Sequence, residues 1–408
     1  MSDKSKIEWT DASWNPIRAR MYAKVGWHCE KVSAACTNCY AEAMNMRLGN
    51  RVAYRDSHIK RDVFLDEKTL LQPLKWTRPR KIFVCSMTDL FGEWVSDEMI
   101  DRIFAVMALC PQHTFQVLTK RPERMREYIC GPYPNGEGVA ARIAGATWAL
   151  APSRKELPDP PVILEMPVGL RLESGEPEFG WRRIIAARSW PLKNVWLGVT
   201  AENQEMADKR IPLLLATPAA LRWVSIEPML GSVDLEPWLD WPIGSAEQSE
   251  VDGHSWGCQE CESYSNCKCP RDKAYYHCEE GPRGLDGCPE WIGVDRITLD
   301  WIVAGGESGP HARPSHPDWF RSLRDQCAAA GVPFLFKQWG EYGPCELYPA
   351  GKAVCSVIAS DGTHLTGSAA VTGFPEDRHA EIISKFGKVT AGRELDGVEH
   401  NAFPEAQA

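Results

Sequence analysis

The 408-residue chain lacks any apolar run long enough to cross a bilayer. Its longest such runs, IFAVMALC and WIVAGG, fall far short of the roughly 20 residues a membrane helix requires. A secretory leader is lacking too. The opening MSDKSKIEWTD is charged and polar, so a cytoplasmic protein without membrane contact is expected. Positive charge is not in excess: 46 Lys and Arg stand against 55 Asp and Glu, a net charge of −9. That excludes a protein that coats nucleic acid non-specifically and leaves room only for a local basic cleft. A paired cysteine framework is also missing. Fifteen cysteines, an odd total in a chain without a leader, argue against disulfides and for metal or redox chemistry. There is no internal repeat. The length suits two or three ordinary domains, or one large α/β barrel with insertions.

What is present starts with Cys29, Cys36 and Cys39, in the stretch WHCEKVSAACTNCYAEAMNMR. Their C-x6-C-x2-C spacing crowds three thiols into one short loop, with Tyr40 directly after the last. Three thiolates suit an iron–sulfur cluster, because a four-iron cluster held by three cysteines keeps one iron open to a non-protein ligand. Zinc is an alternative, with His28 next to Cys29 as a further ligand. Packing of small buried thiols is another. Spacing alone leaves all three open.

Short apolar runs alternate with helical patterns along the chain. Strands are expected at 82–86 (IFVCS), 114–119 (TFQVLT), 195–200 (VWLGVT), 222–227 (RWVSIE), 301–306 (WIVAGG) and 333–337 (PFLFK). Near-continuous apolar strands are buried on both faces, as in a parallel sheet. Helices are expected at 97–109, 122–128, 203–216 and 317–330. The alternation predicts a parallel α/β fold. Nearly every strand ends in polar or ionisable residues: Ser86 to Asp89, Thr119 to Arg121, Thr200 to Asn203, Ser225 to Glu227, Gly305 to Ser308, and Lys337 with Gln338. In an α/β barrel these ends form one face, where a shared site is built.

Two segments interrupt the pattern and divide the chain. Residues 1–130 form the first half of the barrel, 191–243 continue it, 293–344 end it, and 345–408 make a C-terminal cap. Residues 131–190 read as an insertion rich in Pro, Gly and charge. Residues 244–292 read as a cysteine-rich insertion that needs a metal to fold, with Cys258, Cys261, Cys278 and Cys288 as candidate zinc ligands beside Cys267 and Cys269. The basic run KWTRPRK (75–81) is a candidate nucleic-acid contact or a solvated loop.

Together these motifs resemble a known family. WNP…C-x6-C-x2-CYAE, FVCSMTDLFGEWV, FQVLTKRPERM, VWLGVTAENQ-x4-KRIP, WVSIEPMLG, WIVAGGESGPHARP, FLFKQWGEY and GRELDG resemble the three-cysteine-motif proteins of phages and prophages. That family is itself similar to radical S-adenosylmethionine (SAM) enzymes. The resemblance covers the chain apart from the two insertions and a widened gap between Trp14-Asn15-Pro16 and Cys29. Two features depart from the usual radical SAM pattern. The first cysteine gap has six residues where three are most usual, and the Gly-Gly-Glu at 305–307 ends a late strand rather than the second.

The resemblance implies a partial (β/α)6 TIM-like radical SAM barrel, to which the residues at 244–292 add the cysteine-rich, metal-binding insertion. Cys29, Cys36 and Cys39 would hold a [4Fe–4S] cluster, with SAM on the fourth iron and an electron donor as partner. Tyr40 would contact the adenine, Ser86, Thr88 and Asp89 the SAM amine, and Thr200, Glu202 and Asn203 the ribose. Lys120, Arg121 and Arg313 would meet substrate, and Glu227, Glu307 and Lys337 would serve catalysis. The implied substrate is a modified base in DNA, flipped out of the duplex. The leading expectation is an isomerase that moves a glycyl adduct of thymidine from nitrogen to α-carbon, in phage DNA hypermodification that evades restriction in the host cytoplasm. The alternatives are a photoproduct-lyase-like repair enzyme and a non-catalytic zinc-dependent nucleic-acid-binding protein.

Overall fold

The computed structural model describes residues 5–21, 23–54, 62–131, 138–150, 190–239, 298–344, 355–366 and 379–405. The first strand, β1 (Ala12–Trp14), leads into a small antiparallel sheet in which β2 (Ile17–Met21) pairs with β3 (Lys24–Gly26) and β4 (Asp62–Leu65). The β2–β3 hairpin fills the widened gap before Cys29. The cysteine loop and α1 (Tyr40–Leu48) lie between β3 and β4. After α2 (Glu67–Leu70) come β5 (Lys81–Val84), α3 (Asp97–Ala108), β6 (Thr114–Thr119), α4 (Pro122–Cys130) and α5 (Val139–Leu150). Then follow β7 (Val195–Thr200), α6 (Gln204–Leu215), β8 (Leu221–Ile226), α7 (Glu236–Leu239), β9 (Trp301–Gly305), α8 (Pro317–Ala330) and β10 (Phe334–Gln338).

Seven of these strands form one sheet in the order β1-β5-β6-β7-β8-β9-β10, every pair parallel. Strand order follows chain order, so the sheet winds in one direction and curls into a half-barrel. The six strands expected from sequence are all present, and the helix at 317–330 has the expected bounds. The seventh strand, β1, is only three residues long and too short to announce itself by periodicity.

Helices cover the convex face. In α3 the buried residues Ile100, Ile103, Phe104 and Met107 recur at helical spacing, and Asp97 and Glu98 favour its positive end. Asp97 also accepts from Arg124 of α4 and, at 3.2 Å, from Arg142 of α5. The segment 131–190 therefore contributes a packed helix; its residues 151–189 lie outside the described residues.

The concave face is apolar at its N-terminal end. Trp9, Phe83, Trp196, Trp223, Trp301, Val303 and Leu335 form one cluster there. The Trp9 ring lies 4.7 Å from Phe83 and 5.1 Å from Trp223. Gly198 makes room for it, since a Cβ there would sit 2.5 Å from the Trp223 indole.

Past β10 the chain forms an antiparallel sheet of β11 (Tyr342–Pro344), β12 (Cys355–Ala359), β13 (His364–Thr366) and β14 (Ala380–Lys385), in the order β11-β14-β12-β13. After α9 (Lys388–Ala391), the GRELDG stretch makes the hairpin β15 (Glu394–Leu395) and β16 (Val398–Glu399). The tail then runs along the free edge of β10: Phe336 N donates to His400 O at 3.0 Å, and Ala402 N to Phe334 O at 3.3 Å. An open sheet edge is thereby covered. The cysteine-rich segment 244–292, with Cys258, Cys261, Cys278 and Cys288, lies outside the described residues. Among those described, no helix is long and apolar enough to cross a membrane.

Candidate functional site at the strand ends

A parallel sheet gathers the carboxyl ends of its strands on one edge, and here the cysteine loop is fastened across that edge. The chain leaves β5 through Cys85, whose φ of 57° is rare for a side-chain-bearing residue and turns Ser86 to Asp89 over the sheet. Thr88 Oγ1 donates to His28 O, next to Cys29. Arg121, after β6, donates to Glu30 O at 3.3 Å. Glu202, after β7, accepts from Ala35 N at 3.2 Å. Glu307, after β9, accepts from Asn38 Nδ2 at 3.0 Å, and Arg313 donates to Ala34 O at 3.0 Å. Tyr40 donates its hydroxyl to Ser86 O at 2.6 Å. Residues from four strand ends thus hold the loop between His28 and Tyr40.

All three cysteines are half-buried free thiols. Cys29 and Cys39 rest on an apolar bed of Trp27, Ala41, Tyr54 and Met87. Burial, the Asp89 carboxylate and the other two thiols push Cys29 up to about 12, against the opposing pull of Arg121. Burial also raises Cys39, opposed by the Glu42 and Ala41 N–H groups at the start of α1 and by Lys120. The three sulfurs are near enough to act on one another, and a free thiolate is costly there without a positive partner. Among the described residues, no three His, Cys, Asp or Glu side chains converge as ligands of one ion.

The structure divides the other site residues into two groups. The first is committed to holding the loop and strand ends. Asp89 Oδ1 accepts from Thr119 Oγ1 at 2.7 Å and Phe91 N at 3.1 Å; Oδ2 accepts from Lys120 N and Arg121 Nη1, each at 3.1 Å. Four protein donors fill its acceptor capacity, where a SAM amine contact was expected. Thr88 is taken by His28 O and the Trp94 indole. Glu202 is fully buried and paired with Arg210 at 3.0 Å, so it presents no free acceptor to a ribose, while Asn203 caps α6 by accepting from Met206 N at 3.0 Å. Burial alone would raise the Glu202 carboxyl, but the Ser33 hydroxyl, Arg210 and Ala35 N–H outweigh it and hold it below the usual range. Arg121 is buried against Asp89 and over the Trp94 ring. Glu307 is paired with Arg313 at 2.6 Å, and that pairing likewise lowers its carboxyl against the effect of burial.

The second group lines the concave face itself. Inward residues alternate along each strand, so the face that carries Leu118, Trp196, Trp223, Val303 and Leu335 continues upward to Lys120, Thr200, Ser225, Glu227, Gly305 and Lys337. Lys337 Nζ donates to Glu227 Oε1 at 2.6 Å, reaching across β9. The pair passes over Gly305, where a Cβ would lie in ordinary contact, 3.4 Å from Lys337 Cβ and 3.6 Å from Glu227 Cδ. Lys120 Nζ donates to Thr200 Oγ1 at 3.4 Å and has no carboxylate partner among the described residues. Ser86 bonds Asn15 of the WNP motif at 3.0 Å.

Sequence reasoning missed Asn15, Asn38 and Arg210. Their signals were local: Asn15 sits in WNP, Asn38 sits between Cys36 and Cys39, and Arg210 follows Glu202 at two helical turns. The basic run 75–81 is elsewhere. It precedes β5, at the opposite end of the sheet, with Arg80 over Trp76 and Lys81 over Phe403.

Neither the curated proteins nor the solved structures compared with the chain include a match. One family matches, described as a protein of unknown function, DUF5131, and it spans residues 4–404. The chain therefore belongs to the DUF5131 family.

Proposed function

We propose that the chain is a radical SAM enzyme of the partial (β/α)6 barrel type, with Cys29, Cys36 and Cys39 as ligands of a [4Fe–4S] cluster, acting on a modified base in DNA. The observation that carries the reading is the placement of the cysteine loop: it follows the first strand of a sequentially wound parallel half-barrel and is tied across the carboxyl ends of its strands. The donor set fits the group. The Cys29 and Cys39 thiols, which burial keeps from ionising alone, would gain from iron the positive charge they need.

Held by Cys29, Cys36 and Cys39, a cluster would supply with SAM the radical chemistry that abstracts hydrogen from an unactivated carbon. The protein's own residues bind and orient. Lys120, with no carboxylate partner among the described residues, is placed to meet a carboxylate or phosphate, and Thr200 shares its position on the face. Glu227 and Lys337 present a carboxylate and an ammonium to the same space, able to hold a polar adduct on the base. The exposed Tyr40 ring, beside Cys39, offers a surface for a planar group. Migration of a glycyl adduct of thymidine from nitrogen to α-carbon is the reaction we assign.

The test is anaerobic. Protein reconstituted with iron and sulfide, then given reductant and SAM, should release 5′-deoxyadenosine, and Cys36→Ala protein should not. A reconstituted protein that leaves SAM intact, even with digested phage DNA present, contradicts the reading.

A further inference from the structure

We infer that the outward face of α1 is the surface on which the nucleic-acid strand bearing the target base docks, an inference that rests on the reading of the site given above. The helix buries Ala41 and Asn45, one turn apart, against the protein. Its other side carries Tyr40, Ala43, Met44, Arg47 and Leu48, at positions i, i+3, i+4, i+7 and i+8, and all are exposed. Tyr40 is 53%, Met44 40% and Leu48 61% exposed. Among the described residues, six of the ten exposed large apolar residues lie between Val25 and Leu48. A helix face that met only water would not concentrate them beside the site.

Charge selects the occupant. The one acid of the helix, Glu42, is consumed internally by Lys31 at 2.6 Å and Tyr54 N at 3.0 Å. Arg47 and Arg51 have no carboxylate partner among the described residues, and both are exposed. From Ile17 to Arg51 the chain has six basic residues and two acidic ones, inside a protein of net charge −9. The face is also continuous with the site. Tyr40 begins the stripe, follows Cys39 and bonds Ser86 O at the strand ends. Arg47 stands about 10 Å further along the helix. Guanidinium groups at one end take phosphates, and the phenol and thioether between them and the site offer sequence-tolerant stacking for bases. A strand lying along α1 is thereby led to Tyr40 and the concave face.

The experiment measures binding of a fluorescein-labelled, thymine-containing oligonucleotide to the full chain by anisotropy over a series of salt concentrations. Arg47→Glu/Arg51→Glu should weaken binding about tenfold or more and lower the log–log salt slope by about two. Met44→Ser/Leu48→Ser should weaken binding with the salt slope unchanged, and Arg47→Lys/Arg51→Lys should retain most of it. Deoxyadenosine release without DNA should be unchanged in all three. Variants that bind like wild type overturn the surface and leave the reading of the site standing. Wild-type protein that cleaves SAM but binds no oligonucleotide overturns the surface together with the nucleic-acid substrate. If the apolar variant abolishes self-association in sedimentation and binds the oligonucleotide normally, the stripe is a contact between copies and the inference is wrong.

Discussion

At the N-terminal end of the half-barrel the concave face is filled by Trp9, Trp196, Trp223 and Trp301; at the C-terminal end the same strands, in the same alternation, present Lys120, Thr200, Ser225, Glu227 and Lys337. The apolar end is closed mainly by aromatic packing, with Gln116 donating to Trp9 O at 3.0 Å. The polar end is closed by hydrogen bonds from strand ends to one loop, and almost every carboxylate there has a named donor. Buried ion pairs contribute little net stability compared with apolar packing. Those at the polar end serve positioning, because they fix where the cysteine loop lies.

The comparison can be broken from either side. The largest effect is expected at the apolar end: Trp223→Ala should cost about 3–5 kcal/mol in urea unfolding, while the backbone contacts of the cysteine loop persist. At the polar end, Glu202→Leu strands the buried Arg210 guanidinium and removes the acceptor for Ala35 N–H. A loss of about 3 kcal/mol is expected, with faster hydrogen exchange at Ala35. A stability loss without faster exchange would separate Glu202 from the loop.

A smaller effect concerns pH. Glu307 and Glu202 are both held below the ordinary carboxylate range in the folded protein. Their contributions are complete above about pH 4.3, the unfolded value, and are lost as pH falls through the folded values. The stability difference between wild type and Glu307→Gln should be flat from pH 5 to 8 and shrink in acid. A difference that grows on acidification would reverse the assigned sign. The smallest effect lies at the surface, where Asp396 of the GRELDG hairpin is held by Arg321 and Arg324 of α8. Asp396→Asn should cost below about 1 kcal/mol, read as a small shift in Tm.

The strands were legible because both of their faces are buried, which leaves uninterrupted apolar runs such as WIVAG. The face they share was legible as well, since polar residues recur after each run. What individual residues do there was not. Asp89 and Glu202 have the composition of ligand-binding acids, yet their acceptors are filled by Thr119, Lys120, Arg121, Ala35 and Arg210, partners fixed only by the folded backbone. Charge was misleading in a similar way. The densest basic run, 75–81, sits away from the site, while Lys120, Arg47 and Arg51, which have no carboxylate partner among the described residues, are scattered in sequence. The hairpins β2–β3 and β15–β16 are too short to show a period.

The most direct test of the account is iron, sulfide and zinc analysis of the full chain after anaerobic reconstitution, beside a Cys29→Ala/Cys36→Ala/Cys39→Ala protein. The triple variant leaves any metal in the cysteine-rich segment untouched, so the difference between the two belongs to the loop. The account predicts a difference of about four irons and four sulfides per chain. Equal iron in both proteins, or zinc in place of iron at the loop, would contradict it.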